Sequence, residues 1–459
     1  MITCPAWSGK SFAVLGLARS GQAAAEALLA SGADVMVWDR QEEPRAAFEG
    51  RARVGDPMSE DLTGIDGLVV SPGVPLNTHP IVERAGHFGV PIIGDIELFA
   101  QARSALPPHR VIGITGTNGK STTTALVTHL LKEAGVEARM GGNIGLPILG
   151  EEPLPEGGVY VLELSSYQID LTRSLACEAA ALLNITPDHL DRYDGFESYA
   201  FSKGRLFTMQ GSGQFACFGC EDAQTRAVCN AAQSRRAEGR AICLEPEQYA
   251  AMQGDWPALQ GPHNLQNVAA AIALVEEMGV TRGDWEAGLT SYSGLPHRME
   301  VVCEHESVLF VNDSKATNPA STAPALAAWP ADPEPRVHWI VGGLAKEDGL
   351  GECEAQLGNI KRAYAIGEAG PRFAELLGGR VPVERSELIC EAVKQAVSNA
   401  EAGDIVLLSP ACASFDQFRD FEKRGEHFRQ LVGALSGCDI DDICEPTLAG
   451  NGDMKGEAA

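Results

Sequence analysis

At about 150 residues per domain, 459 residues suit three domains, each able to bury its own core, and exclude a single disulfide-stapled module. The chain is 44% hydrophobic and 21% charged, the composition of a folded globular protein. Its 36 Lys and Arg against 62 Asp and Glu leave a net charge of -26, which repels phosphate polymers and anionic membranes. Nucleic acid is therefore excluded as a general partner, and any anionic ligand needs a local cationic pocket.

No apolar run reaches the roughly 18 residues of a membrane span, and MITCPAWSGKSFAVLG lacks the basic segment and cleavage site of a signal peptide. A cytoplasmic protein without membrane insertion is expected. The 12 cysteines are scattered. Cys217 and Cys220, in CFGC, form the one close pair, with no second pair or histidines at zinc-ligand spacing. Reduced, mostly buried thiols are the simpler reading.

In chain order, SFAVLG, a helix to about Ala30, DVMVWD, GLVVSPG and VPIIGD alternate as β and α, which predicts a parallel sheet over residues 1–103. The Pro-rich SALPPHR leads into a second domain, 104–300, with strands VIGIT, VYVLEL and AAALLNI and a helix over HNLQNVAAAIALVEEMG. SVLFVND, RVHWIVGG, RAYAIG and DIVLLSP predict a third α/β domain, 301–437. The acidic, aperiodic stretch 438–459 reads as a mobile tail.

VIGITGTNGKSTTT at 111–124 delivers a strand into a turn with Gly116 and Gly119, then a helix predicted from Lys120 to Glu133. Backbone N–H groups freed by the glycines can close around phosphate oxygens; Lys120 adds a point charge, Ser121 can reach Mg2+, and the helix offers its positive end. The strict phosphate-loop pattern misses by one place, with Gly113 ahead of Ile114. Glu163 ends a strand, either as a helix cap or surface charge or, beside a triphosphate, as a Mg2+ ligand. In NITPDHLDRY, Asp188, His189 and Asp191 crowd a turn that is equally a solvated Asx-type loop. Lys203 sits on a predicted helix, where a solvated charge is the ordinary reading. Asn264 and Asn267 lie three apart at a helix start, as caps or ligand contacts.

GLARSG, from Gly16 through Leu17, Ala18, Arg19 and Ser20, follows a strand, and Asp39 ends the next one. Taken alone this suggests dinucleotide binding and a dehydrogenase. In the third domain Asp313, Lys315 and Thr317 crowd a strand end in NDSKATNP, either as a capped turn or as ligand contacts.

TGTNGKST resembles the ATP loop of the Mur ligase superfamily, which also contains the folylpolyglutamate synthetases, and about eight motifs from residues 10 to 435 follow in that family's order. The resemblance implies three domains: Rossmann-like, central P-loop ATPase-like, and Rossmann-like again. It implies ATP contacts from Thr115, Gly116, Thr117, Asn118, Gly119, Lys120, Ser121, Thr122, Asn264, Asn267, Arg298, Asp313 and Lys315. Two Mg2+ ions would be held by Ser121, Glu163, His189 and a carbamylated Lys203. SPGVP and GDIELF are similar to the D-glutamate-adding branch, whose substrates are UDP-N-acetylmuramoyl-L-alanine and D-glutamate. By that likeness the first domain holds the UDP-substrate through Gly16, Leu17, Ala18, Arg19, Ser20, Asp39, Arg40, Ser71, Pro72 and Gly73, with Asn143 and His189 from the second. Thr317, Lys346, Ser414 and Phe421 would hold D-glutamate. The implied enzyme is a monomer of cytoplasmic peptidoglycan precursor synthesis that forms an acyl phosphate, with Lys120, Glu163, His189, Lys203 and Arg298 as catalytic groups and the third domain swinging in.

Overall fold

The computed structural model describes residues 1–188, 191–346 and 348–437. The predicted tail, 438–459, and His189 lie outside the described residues. Two compact units emerge: Met1–Ala250 with Gln266–Thr290, and Ala251–Leu265 with the described residues from Ser291 onward.

The first unit carries two parallel sheets. One joins β1 (Ser11–Leu15), β2 (Asp34–Trp38), β3 (Arg53–Val54), β4 (Gly67–Val70) and β5 (Ile92–Ile93) in the order β3-β2-β1-β4-β5. The other joins β6 (Arg110–Thr115), β7 (Ala138–Gly142), β8 (Val159–Glu163), β9 (Ala179–Leu182), β10 (Phe215–Phe218) and β11 (Ala241–Cys243) as β11-β10-β9-β6-β8-β7. Val159–Glu163 and Ala179–Leu182 are buried throughout because helices cover both faces of a parallel sheet, hence their unbroken apolar runs. One apolar core runs under both sheets, where Phe99 meets Tyr160 edge-on at 5.0 Å. Glu97 of GDIELF is buried and accepts from Arg173 N, Ser174 N and Ser174 Oγ at 2.7 to 2.9 Å, tying the two sheets' lobes together.

The second unit's sheet runs β12-β13-β17-β14-β15-β16, from β12 (Glu300–His305), β13 (Val308–Asn312), β14 (Val337–Gly342), β15 (Ile360–Ile366), β16 (Val383–Glu387) and β17 (Ile405–Leu408). β12 and β13 form an antiparallel hairpin joined by a tight turn at Glu306 and Ser307, both at positive φ, while the remaining strands of this sheet pair in parallel. The strands β3, β7, β10, β11, β12 and β16 were not predicted; all but β10 lie at a sheet edge, and two to six residues carry little periodic signal. Among the described residues nine cysteines are free and seven of those are buried, as expected. No described helix is long and apolar enough to cross a membrane.

Candidate active site

In the first unit's second sheet β6 lies between β9 and β8, so the loop after β6 emerges beside the ends of both, where open α/β sheets place ligands. The helix begins at Lys120 and ends at Glu133, as predicted. Gly116 and Gly119 have φ of 151° and 83°, values that other residues rarely adopt. A Cβ on Gly119 would stand 2.3 Å from Asn267 Oδ1, the oxygen that also accepts from Thr123 Oγ1 at 3.2 Å. Asn267 therefore closes one side of the loop. Asn184 closes the other: its backbone oxygen accepts from Thr117 N at 2.9 Å and its Oδ1 from Asn118 N at 2.8 Å. Thr115 Oγ1 donates to Leu164 O at 2.8 Å, and Ser121 is buried at the helix start beside Thr122.

Glu163 pairs across the sheet with Ile114, immediately before the loop. The cap reading for it is settled by its neighbours, since Ser165 and Gln168 form the capping box of the next helix without it. Glu163 is 2% exposed; Oε1 accepts from Asn143 Nδ2 at 2.8 Å, while Oε2 is buried with no hydrogen-bond partner. An orphaned buried carboxylate oxygen is costly and is the natural seat of a hard cation.

Lys203, on the Gly195–Thr208 helix, is 1% exposed, which overturns the reading of a solvated charge. Its Nζ donates to Gly116 O at 2.8 Å and lies 4.5 Å from the centre of the Tyr199 ring. Burial, and then the charge of Lys120, holds its pKa well below the usual lysine value, while Asp188, Asp170 and Glu163 oppose that shift. Lys120 folds onto the same loop, donating to Gly116 O at 2.9 Å and Thr117 O at 2.7 Å. Tyr199, which sequence reasoning missed, shares a 3.1 Å hydrogen bond with Thr117 Oγ1.

The first sheet converges in the same way: GLARSG follows β1, Asp39 follows β2, and Ser71, Pro72 and Gly73 follow β4. Gly16, at φ 91°, packs so closely on Ser71 that a Cβ would stand 2.8 Å from the serine Cβ. Ala18 and Ser20 flank Arg19, the first residue of the next helix, and Arg19 Nη2 donates to Gly145 O at 3.0 Å near Asn143. Asp39 accepts from Leu17 N at 2.7 Å and Gln41 N at 2.9 Å, so its carboxylate fixes this loop; Arg40 beside it is exposed.

In the second unit β13, β17 and β14 are neighbours, and the loops after them bring the predicted residues together. Lys346 Nζ donates to Thr317 Oγ1 at 3.0 Å. Reciprocal 2.9 Å backbone bonds between Leu344 and Ala413 set the Lys346 segment beside buried Ser414. Lys315 Nζ sits 3.7 Å from the centre of the Phe421 ring. Asn318, not the predicted residues, caps the following helix through Ser321 N at 2.8 Å, leaving Asp313, Lys315 and Thr317 outside the cap. Buried Asp313 accepts from Met299 N at 3.2 Å and Ser409 Oγ at 2.7 Å, and burial pushes its pKa up to about 7. Arg298 lies between His297 and Met299, both at positive φ. Asn264 Nδ2 donates to Gln260 O at 3.1 Å within this unit. Sequence reasoning missed Arg424, buried, with Nη2 held by Ser314 O at 2.8 Å and Cys412 O at 3.0 Å and with Nη1 unpartnered.

Three domain families match: the Mur ligase MurD-like N-terminal domain over residues 10–94, the Mur ligase middle domain over 114–254, and the Mur ligase glutamate ligase domain over 297–412. Among curated relatives, a UDP-N-acetylmuramoylalanine--D-glutamate ligase of Novosphingobium aromaticivorans is 62% identical over 95% of this chain and 97% of its own. The same-named protein of Zymomonas mobilis is 50% identical over 95% of this chain and all of its own length. A solved UDP-N-acetylmuramate-alanine ligase of Thermotoga maritima shares the fold at a TM-score of 0.54 and 16% identity, covering 93% of this chain and 99% of that one. With matches in sequence along nearly its whole length, the chain belongs to the Mur ligase family.

Proposed function

We propose that the chain is an ATP-dependent ligase that joins the amine of D-glutamate to the L-alanyl carboxylate of UDP-N-acetylmuramoyl-L-alanine, with ADP and phosphate as products. The names of full-length relatives support the substrates. The observation that carries the chemistry is the loop of Gly116 to Ser121 beside Glu163 Oε2, a buried acceptor without a protein partner.

Carboxylate and ammonium do not condense unaided in neutral water, so the carboxylate is first activated. The γ-phosphoryl group passes from ATP to the alanyl carboxylate; the acyl phosphate is then attacked by the amine of D-glutamate, and phosphate leaves. Loop N–H groups and Lys120 bind the phosphates, with Arg298 stabilising charge that grows during phosphoryl transfer. By the family resemblance, Asn267, Asn264, Asp313 and Lys315 would contact the rest of the nucleotide. Mg2+, which neutralises phosphoryl oxygens when bound, fits Glu163 and Ser121, and a carbamylated Lys203 would add to the set. A depressed lysine pKa supports that modification, because only the neutral amine adds to CO2: the N–C bond forms and one amine proton leaves. The GLARSG loop, Asp39, Ser71 and Asn143 hold the UDP-substrate. Thr317, Lys346, Ser414 and Phe421 hold D-glutamate, whose carboxylates call for a cation.

A substrate panel with mass detection tests the reading. Phosphate release and a product mass should require both substrates and ATP; turnover with a different amino acid only would overturn it.

A further inference from the structure

We propose that Cys220, Cys229 and Cys243 form a binding site for one thiophilic d10 cation, Zn2+ in the first instance, at the outer edge of the first unit's second sheet. The three are scattered in sequence and gathered by the fold. Cys243 ends β11 and pairs with Phe218, the last residue of β10. Cys220 follows two residues later in the turn, and Cys229 comes from the Ala223–Gln233 helix packed over these strands. All three Sγ atoms lie within 4.8 Å of one another, and Cys229 and Cys243 are 3.5 Å apart.

Those separations suit coordination. Two thiolates on one tetrahedral Zn2+, each with a bond of about 2.3 Å, stand about 3.8 Å apart, which these side chains reach by small rotations. A disulfide at about 2.05 Å would join only two of the sulfurs and leave the third without a role. Metal binding breaks up to three S–H bonds, forms three metal–sulfur bonds and releases the protons to solvent. Arg226 lies close enough to lower the Cys229 pKa and donates to Cys220 O, placing a compensating positive charge beside an anionic metal–thiolate centre. Exposed Cys243 provides the entry path and leaves a fourth position for water. The CFGC pair of the sequence is not the site, because Cys217 does not join the cluster.

The test uses the full chain, reduced and stripped with chelator, titrated with Cd2+ and then competed with Zn2+. The expected result is a thiolate-to-metal charge-transfer band that saturates at one equivalent and is displaced by Zn2+. Cys229→Ser should abolish the band. Cys243→Ser, at an exposed position, should weaken affinity by at least about tenfold. Cys390→Ser, exposed on the other unit, should bind as the wild type does. Absence of the band, an equal band in Cys229→Ser, an unchanged affinity in Cys243→Ser, or a Cys229–Cys243 disulfide in protein isolated under thiol-blocking conditions would each overturn the proposal.

Discussion

Lys120 and Lys203 donate to one and the same carbonyl, Gly116 O, at 2.9 and 2.8 Å. Two ammonium groups on one oxygen repel, and burial together with that repulsion holds the Lys203 pKa well below the usual lysine value. Conversion of Lys203 to a carbamate would exchange that repulsion for attraction to Lys120. Lys203→Ala should therefore be inactive, and short carboxylates should restore part of the rate by supplying the missing oxygens. Isotope-labelled bicarbonate should give a carbamate carbon signal in the wild type that the variant lacks. A variant with full activity, or one that no carboxylate rescues, counts against the carbamate.

Lys120→Ala removes a charge expected to act on the phosphates but touches nothing in the GLARSG loop. The rate constant kcat should fall about 100- to 1,000-fold, with UDP-substrate affinity by calorimetry unchanged. A retained rate would remove Lys120 from the mechanism.

Gly119→Ala adds one methyl group, at positive φ and 2.3 Å from Asn267 Oδ1. The loop or Asn267 must move, so KM for ATP should rise about tenfold while KM for D-glutamate stays put. Pairing it with Asn267→Ala relieves the collision but not the backbone strain. The double variant should then lose less than the two single losses combined, and strict additivity would show that the contact is not what matters.

Legibility in the sequence followed distance along the chain. The turn from Gly116 to Ser121, the strands feeding it and the alternation of β and α are local patterns, and each was readable. Asn184 was quoted within a motif, yet its bracing of Thr117 and Asn118 depends on β9 lying beside β6, a fact of sheet order. Tyr199, Arg424 and the Cys220 cluster are invisible for the same reason. Burial was the other blind spot: Lys203 looks like any helical lysine until its helix packs on the phosphate loop.

Asp39 distinguishes the Mur ligase reading from the dehydrogenase that GLARSG suggests. Its carboxylate oxygens hold Leu17 N and Gln41 N, each charge-assisted bond contributing about 1.5 to 3 kcal/mol. Asp39→Ala should loosen this loop, raising KM for the UDP-substrate by about tenfold or more without altering KM for ATP. Fluorescence titration of the wild type with NADH should show no saturable binding; saturation would revive the dehydrogenase.

Asp313 makes the second unit sensitive to alkali. Its folded pKa of about 7 stands above the ordinary 3.8, so the fold prefers the protonated acid. That preference is fully present below pH 4 and is lost as pH rises toward 7, on the order of 4 kcal/mol in all. Asn copies the protonated acid: its oxygen accepts from Met299 N, and its NH2 group donates to Ser409 Oγ once that hydroxyl turns its single proton from residue 313 to Thr322 Oγ1, 3.1 Å away. The urea midpoint of Asp313→Asn should therefore gain on the wild type from pH 5 to pH 7 and hold a constant lead above that. A gap that narrows with rising pH would mean that Asp313 is ionised in the fold, held by Arg298 and Arg424 more strongly than burial opposes it.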